Sequence, residues 1–208
     1  MEKMFNIGDR VVFYECGFWN KGVVTDISKN FVDQTLIHVK DEFDSDLVFY
    51  KHEVKHVNDI DSFTGDYFFL SNFYESPVTI DGITYANSEA AFHSYKCPER
   101  QREFTILSPK DAKRLGRTVP LRPDWDEIRN HVMYNVCLMK FTQNIELTEK
   151  LLATDMDILI EGNTWHDTYW GVCDGVGENN LGKILMAVRD SIRSNNYKLR
   201  DIPEVPKV

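Results

Sequence analysis

Val78-Thr79-Ile80-Asp81-Gly82-Ile83-Thr84-Tyr85-Ala86-Asn87-Ser88-Glu89-Ala90-Ala91-Phe92-His93-Ser94-Tyr95-Lys96 changes its period part-way along. Two β-branched runs flank Asp81-Gly82, a dipeptide that suits a two-residue hairpin turn. Asn87 and Ser88 then offer a helix cap, with Glu89 in the first turn. The helix that follows puts Glu89, Phe92, His93 and Lys96 on one face. A hairpin running directly into a helix sets the texture of the chain from Asp59 onward, which reads as an α+β domain with helix in excess.

Towards the C-terminus the helix signals repeat. Ser108-Pro109 with Asp111 three residues after the serine marks a start, and Gly116 a stop. Asp124 with Glu127 resembles a capping box opening a helix that carries Ile128, Val132, Val136 and Met139 at helical spacing. Further helices are expected over about Asn144 to Ala153 and Asn180 to Ser194, the latter burying Leu181, Ile184, Leu185, Val188 and Ile192. Ile158-Leu159-Ile160 reads as a strand. Residues 196–208, with Pro203 and Pro206, read as a tail.

Towards the N-terminus the texture is all β. Arg10–Tyr14, Gly22–Ile27, Thr35–Val39 and Leu47–Tyr50 are short β-branched and aromatic runs separated by Gly8-Asp9, Ser28-Lys29-Asn30 and Asp44-Ser45-Asp46. This pattern predicts a small barrel over residues 1–58, ahead of a main domain over 59–195. The Gly8-Asp9-Arg10-Val11 opening and Trp19-Asn20-Lys21-Gly22-Val23-Val24 resemble SH3-like barrels of the Tudor and KOW kind. Phe13, Tyr14, Phe18 and Trp19 are expected in its core, a ligand cage being the alternative.

Of the 208 residues, 42% are hydrophobic and 12% aromatic, ample for a buried core. The formal charge of −9 argues against broad, sequence-independent binding to long nucleic acid, because that affinity comes from Lys and Arg on phosphates. Cys16, Cys97, Cys137 and Cys173 form no Cys-x-x-Cys pair, so neither a zinc knuckle nor a disulfide framework is expected and a reducing cytoplasm fits. No apolar run reaches membrane-spanning length, and Met-Glu-Lys-Met-Phe-Asn is not a signal peptide.

The chemistry concentrates in Glu161-Gly162-Asn163-Thr164-Trp165-His166-Asp167-Thr168-Tyr169-Trp170-Gly171. Its indoles offer a nucleobase a stacking surface worth roughly 1–3 kcal/mol per base, while Asn163 and Asp167 supply placed polar groups. Gly162 and Gly171 suit a tight turn or close approach to a ligand. Glu89 at its helix start suits a general base or a stabiliser of developing positive charge; complementing the helix dipole is the plainer role. Lys96, one face turn on, is a candidate phosphate ligand, or else a solvated lysine.

Phe69-Leu70-Ser71-Asn72-Phe73-Tyr74, Ile80–Tyr85 leading to Ser88-Glu89, Ala112–Arg117, Leu121–Trp125, Lys140-Phe141 with Gln143-Asn144, Glu161–Gly171, and Asn180-Leu181-Gly182 with Leu185-Met186 and Arg189 occur in one order over about Ser62 to Arg193. Together they resemble the NADAR family, the YbiA-like N-glycosidases. The resemblance implies a metal-independent enzyme without cofactor that hydrolyses N-glycosidic bonds. Its substrates would be ADP-ribosylated guanine, free or within nucleic acid, or early intermediates of riboflavin biosynthesis. It places Glu89 and Asp167 as catalytic residues. Asn72, Phe73, Lys96, Trp125, Asn163, Trp165, Trp170 and Asn180 are the candidate contacts to a small-molecule nucleotide; Lys96 and Arg117 suit its phosphates, and the backbone donors at the Asn180 helix start would serve equally. Ala90, His93 and Cys97 depart from the family pattern, which often has an aromatic or His, a Gln and a Phe there. A module that binds ADP-ribose without turning it over is the competing reading, and no ligand for the barrel follows from the sequence.

Overall fold

A computed structural model describes residues 4–15 and 18–203 of the chain, so Cys16 and Pro206 lie outside the described residues. The chain divides into two compact units, Met1–Asp59 with Met156–Ile158, and Ile60–Asp155 with Leu159–Val208.

The first unit is an antiparallel sheet of β1 (Arg10–Glu15), β2 (Phe18–Lys29), β3 (Thr35–Asp41), β4 (Asp46–Tyr50) and β5 (Val54–His56), in the order β4-β3-β2-β1-β5. Strand alternation turns Val11 and Phe13 of β1 inward to join Val24, Ile37, Val39 and Val54 in one apolar cluster. The same alternation sends Tyr14 and its cross-strand partner Trp19 to the opposite face, and both are exposed, as is Phe18. Of the four aromatics expected in the core, only Phe13 is there. Trp19 is instead accompanied by the Lys55 ammonium, 5.1 Å from its ring centroid. A register shift between Val24 and Asp26 marks a bulge in β2.

The second unit takes up the end of β6 (Asp59–Ile60), then β7 (Val78–Ile80), β8 (Ile83–Tyr85), α1 (Ser88–Ser94), α2 (Pro109–Leu115), α3 (Trp125–Thr142), α4 (Ile145–Ala153), the end of β9 (Ile158–Leu159) and α5 (Asn180–Arg193). Here the Ile160 N–H donates to Ile60 O at 2.8 Å. α3 is buried over most of its circumference, with Val132, Val136, Cys137 and Phe141 fully enclosed, because α1, α4, α5 and the β7–β8 hairpin all pack against it. Asp81 and Gly82 both take positive φ, as the hairpin turn requires. Among the described residues no helix is long and apolar enough to cross a membrane.

Three helix starts are held as their sequences indicate. Asn87 accepts from Ala90 N, Ser108 from Asp111 N and Asn144 from Leu147 N. Asp124 differs: it precedes α3 but makes no capping bond, because the buried Arg122 guanidinium takes both its oxygens at 2.6 and 2.9 Å. The expected capping box is therefore an ion pair, which holds the Asp124 carboxyl below its ordinary range. The segment expected as a tail is strapped down over its described part. Asn135 on α3 exchanges two hydrogen bonds with the Arg200 backbone, Arg122 donates to Pro203 O, and Ile202 packs on the core.

Leu185 on α5 has no exposed surface and sits in the core against α3. Leu185→Ala is expected to cost about 2–5 kcal/mol of unfolding free energy through lost burial and a residual cavity, read as a lowered midpoint in urea.

Candidate active site

A cavity of about 700 Å³ opens in the second unit, within the size range of small-molecule sites. Glu89, Phe92 and His93 reach it from α1, Lys96 from the turn directly after α1, Lys113 from α2, and Trp125, Arg129 and Met133 from α3. Arg117 follows α2, Asn72 and Phe73 precede β7, and Glu161, Trp165, Asp167 and Trp170 come from the loop between β9 and α5. The one-face spacing read from the sequence thus delivers three groups of α1 and Lys96 just beyond it to a single cavity.

Glu89 is almost fully buried, and its Oε1 accepts from His93 Nε2 at 3.1 Å. The first-turn donors of α1 are engaged elsewhere: Ala90 N on Asn87 Oδ1, Ala91 N on Asn87 O, and Glu89 N on Asn72 O. Glu89 therefore does not cap the helix, and the group that satisfies its carboxylate is the imidazole. Burial lowers the His93 pKa, Glu89 opposes, and Lys96 and Lys113 lower it further, so the ring is neutral with its proton on Nε2. Its Nδ1 is buried without a hydrogen-bond partner among the described residues, and Gly116 lies flush against the ring there. A Cβ at Gly116 would stand 2.3 Å from Nδ1, so this residue is glycine for close approach; its own φ of −62° is ordinary.

Asp167 sits in a turn built by Asn163. The Asn163 Oδ1 accepts from Trp165 N (3.2 Å) and Asp167 N (3.0 Å), while its Nδ2 donates to Asp167 O (2.8 Å) and Val172 O (3.3 Å). Asp167 Oδ1 in turn accepts from Trp170 N at 2.9 Å. Asn163 is thus a scaffold for the loop, not part of the cavity wall. Asn180 is not on the wall either: it opens α5 and donates to Tyr169 O and Glu178. Gly162 and Gly171 admit close neighbouring backbone, since a Cβ on either would lie 2.1 Å from Asp61 O or Glu161 O respectively, and Gly162 also lines the cavity.

The aromatic wall centres on Phe92, whose ring lies 5.2 Å from Trp125 and 5.3 Å from Trp170. Trp170 packs on the core, whereas Trp165 is 60% exposed at the rim. Lys96, Lys113 and Arg117 gather close enough to repel one another. Burial holds Lys96 below the ordinary lysine range against the pull of Glu89, with Arg117 and Lys113 lowering it further. Lys96 also lies 5.6 Å from the Trp125 ring centroid and donates to Gly116 O at 3.2 Å.

Glu161, read only as the first letter of its motif, supplies a third carboxyl. Its backbone is fixed on both sides: Glu161 N donates to Asn179 Oδ1 (3.0 Å), and Glu161 O accepts from Val172 N (2.8 Å). Its Oε2 is buried and has no hydrogen-bond partner among the described residues. Burial first, then repulsion by Asp167 and Glu89, raises its pKa to about 7, against the pull of Lys113 and the buried Lys140. Lys140 itself, fully enclosed and donating to Ser71 O at 2.8 Å, is lowered by burial to about 8. The one signal in the sequence for Glu161 is its place directly after the Ile158–Ile160 strand. Among the described residues no cluster of three or more metal-ligating side chains occurs.

A family model described as the NADAR domain matches residues 49–193. The chain belongs to the NADAR family. N-glycosidase YbiA of Escherichia coli (strain K12) is 39% identical over 137 residues, covering 63% of this chain and 85% of that protein. A riboflavin biosynthesis protein of Vibrio vulnificus is 35% identical over 133 residues, 61% of this chain but 36% of that protein. The NMR structure of E. coli YbiA superposes with a TM-score of 0.60 at 34% identity, covering 67% of this chain and 86% of that one. This NADAR protein is accordingly an N-glycosidase, a hydrolase acting on N-glycosyl bonds.

The Glu161 value has a consequence for stability. The penalty for burying this carboxyl as an anion is absent below its ordinary value of 4.5, builds as pH rises to about 7, and is full above that. Glu161→Gln is therefore expected to raise the melting temperature at pH 8 and leave it nearly unchanged at pH 4.5, as scanning calorimetry at the two pH values would record.

Proposed function

We propose that the cavity hydrolyses the bond between ADP-ribose and guanine, as a nucleoside or within nucleic acid. The observation that carries this reading is the convergence, in one cavity, of carboxyl groups, a cluster of Lys96, Lys113 and Arg117, and an aromatic wall. Cleaving a ribose C1′–N bond develops an oxocarbenium-like cation, which needs an anion near the sugar and a base for water. Glu89, oriented by His93, activates the water, and Asp167, with one oxygen held by Trp170 N, faces the sugar, following the two-carboxylate logic of glycosidases. The cation cluster receives phosphates, and Trp125, Trp165 and Trp170 receive the base. Asn72 and Phe73 line the same wall, with Lys113 5.5 Å from the Phe73 ring centroid.

The second reading is a phosphorylated ribosylaminopyrimidine from the riboflavin pathway, favoured by the name of the V. vulnificus relative. A binding module that does not turn ADP-ribose over is disfavoured by the paired carboxylates. We assign the chain to the cytoplasm and residues 1–58 to an accessory SH3-like barrel that delivers the 59–195 enzyme to its substrate. The deciding measurement is release of free ADP-ribose from ADP-ribosylated guanosine, by mass spectrometry, beside a ribosylaminopyrimidine phosphate. Turnover of the second alone would replace the first reading.

Glu89→Gln is expected to keep the fold and lower turnover at least about a hundredfold, the lower end for losing a positioned acid–base group. Unchanged kinetics in a folded variant would remove Glu89 from the mechanism. Trp165→Ala, at the exposed rim, is expected to weaken binding by about 1–3 kcal/mol with little change in single-turnover rate. Asp167→Asn is expected to do the reverse, since a carboxylate facing an oxocarbenium gains strength only as charge develops.

A further inference from the structure

Resting on the N-glycosidase reading of this cavity, we infer that Glu161 is the proton donor to the departing base. The argument is one of partners. Of the three carboxyl groups in the cavity, Glu89 has the His93 N–H and Asp167 has the Trp170 N–H, donors that suit an anion. Among the described residues Glu161 makes no side-chain hydrogen bond, and its Oε2 is buried without a hydrogen-bond partner. A buried carboxyl oxygen without a donor is costly as an anion and comfortable as an O–H, which needs an acceptor and finds one in a bound base. Its position is rigid, because Asn179 and Val172 fix the backbone on both sides.

The charged groups around Glu161 agree. Asp167 from the same loop and Glu89 from α1 repel its anion, while Lys113 from α2 and Lys140 from α3 attract it, and burial tips the balance to the acid form up to about pH 7. Three carboxyls in one cavity divide the work when their environments push their affinities for protons apart. The step balances. The C1′–N bond breaks with its electron pair passing to the guanine nitrogen, the Glu161 proton follows it onto the base, and a water oxygen bonds C1′ as Glu89 takes one water proton. The site ends with Glu161 as carboxylate and Glu89 as acid, and exchange with solvent restores both.

A proton donor matters only when the leaving group needs a proton. Guanine does. A pyridinium does not, since it departs as a neutral base when its C1′–N bond breaks. The test compares two substrates of the same anomeric configuration, ADP-ribosylated guanosine and an N-ADP-ribosyl pyridinium, in wild type, Glu161→Gln and Glu161→Asp. For wild type, kcat/KM on the guanosine substrate is expected to fall tenfold per unit as pH rises beyond about 7, with no such fall on the pyridinium. Glu161→Gln is expected to lose at least about a hundredfold in kcat on the guanosine substrate and less than about fivefold on the pyridinium. Glu161→Asp keeps the acid, retracted by one methylene, and is expected to fall between.

Equal losses on both substrates would mean that Glu161 only shapes the cavity, and would overturn the proposal while leaving the N-glycosidase reading intact. Wild-type profiles that fall alike for both substrates would overturn it without recourse to any variant. Hydrolysis of neither substrate by wild type would overturn both the proposal and the ADP-ribose reading beneath it.

Discussion

The constraint on which the rest of the site depends is the buried contact between the Glu89 carboxylate and the His93 imidazole, 3.1 Å apart on successive turns of α1. A carboxylate this enclosed is tolerable only with a donor, and the backbone donors of the helix start are already engaged by Asn87 and Asn72. His93 therefore has to present Nε2–H. Its other nitrogen then has to lie against something that asks for no hydrogen bond. Gly116 meets that demand, and its carbonyl receives Lys96. One ion–dipole contact thus fixes the tautomer of His93, the identity of Gly116, the approach of the end of α2 to α1 and the direction of Lys96.

The other carboxyls are held by the same accounting of backbone groups. Asn163 and Asn179 occupy six backbone donors or acceptors between them: Trp165 N, Asp167 N, Asp167 O and Val172 O for Asn163, and Glu161 N and Leu159 O for Asn179. Asn179 adopts φ of 53°, which Asn tolerates better than most residues. Two amides therefore give an irregular loop the rigidity that a helix would otherwise supply. Glu161 and Asp167 face the cavity as a result, while the close packing of Gly162 and Gly171 against backbone leaves the loop no slack.

Local signals in the sequence translate into structure wherever no stronger partner contests the side chain that carries them. Asn87, Ser108 and Asn144 cap their helices because no distant group contests their oxygens, and Asp81-Gly82 turns its hairpin for the same reason. Asp124 fails as a cap because Arg122, two residues away, offers a charged bidentate partner stronger than a backbone N–H. Alternation on β1 and β2 buries Phe13 and exposes Tyr14 and Trp19, while Phe18 is exposed at the first position of β2, distinctions composition does not carry. Glu89 and Asp167 are legible because their motifs are. Glu161 is not, because what sets it apart is a donor it lacks and charges on three other elements. Asn180 was expected in the cavity, yet it is Asn179, one position earlier, that holds the cavity loop.

His93 also bears on how this chain differs from its relatives. The resemblance implies a Gln four residues after the glutamate, and Gln and His share the property that the contact needs, an N–H donor that reaches the preceding turn. They differ in what lies behind it. A Gln amide adapts to its surroundings through three torsions, whereas an imidazole is a rigid plate whose far edge requires a flat, undemanding neighbour. A methyl at position 116 would collide with that plate at 2.3 Å, so histidine at 93 and glycine at 116 form a matched pair. The imidazole also brings a titration that an amide lacks. Burial and the cations Lys96 and Lys113 hold the ring neutral, so the donor persists without adding a positive charge beside the Glu89 carboxylate.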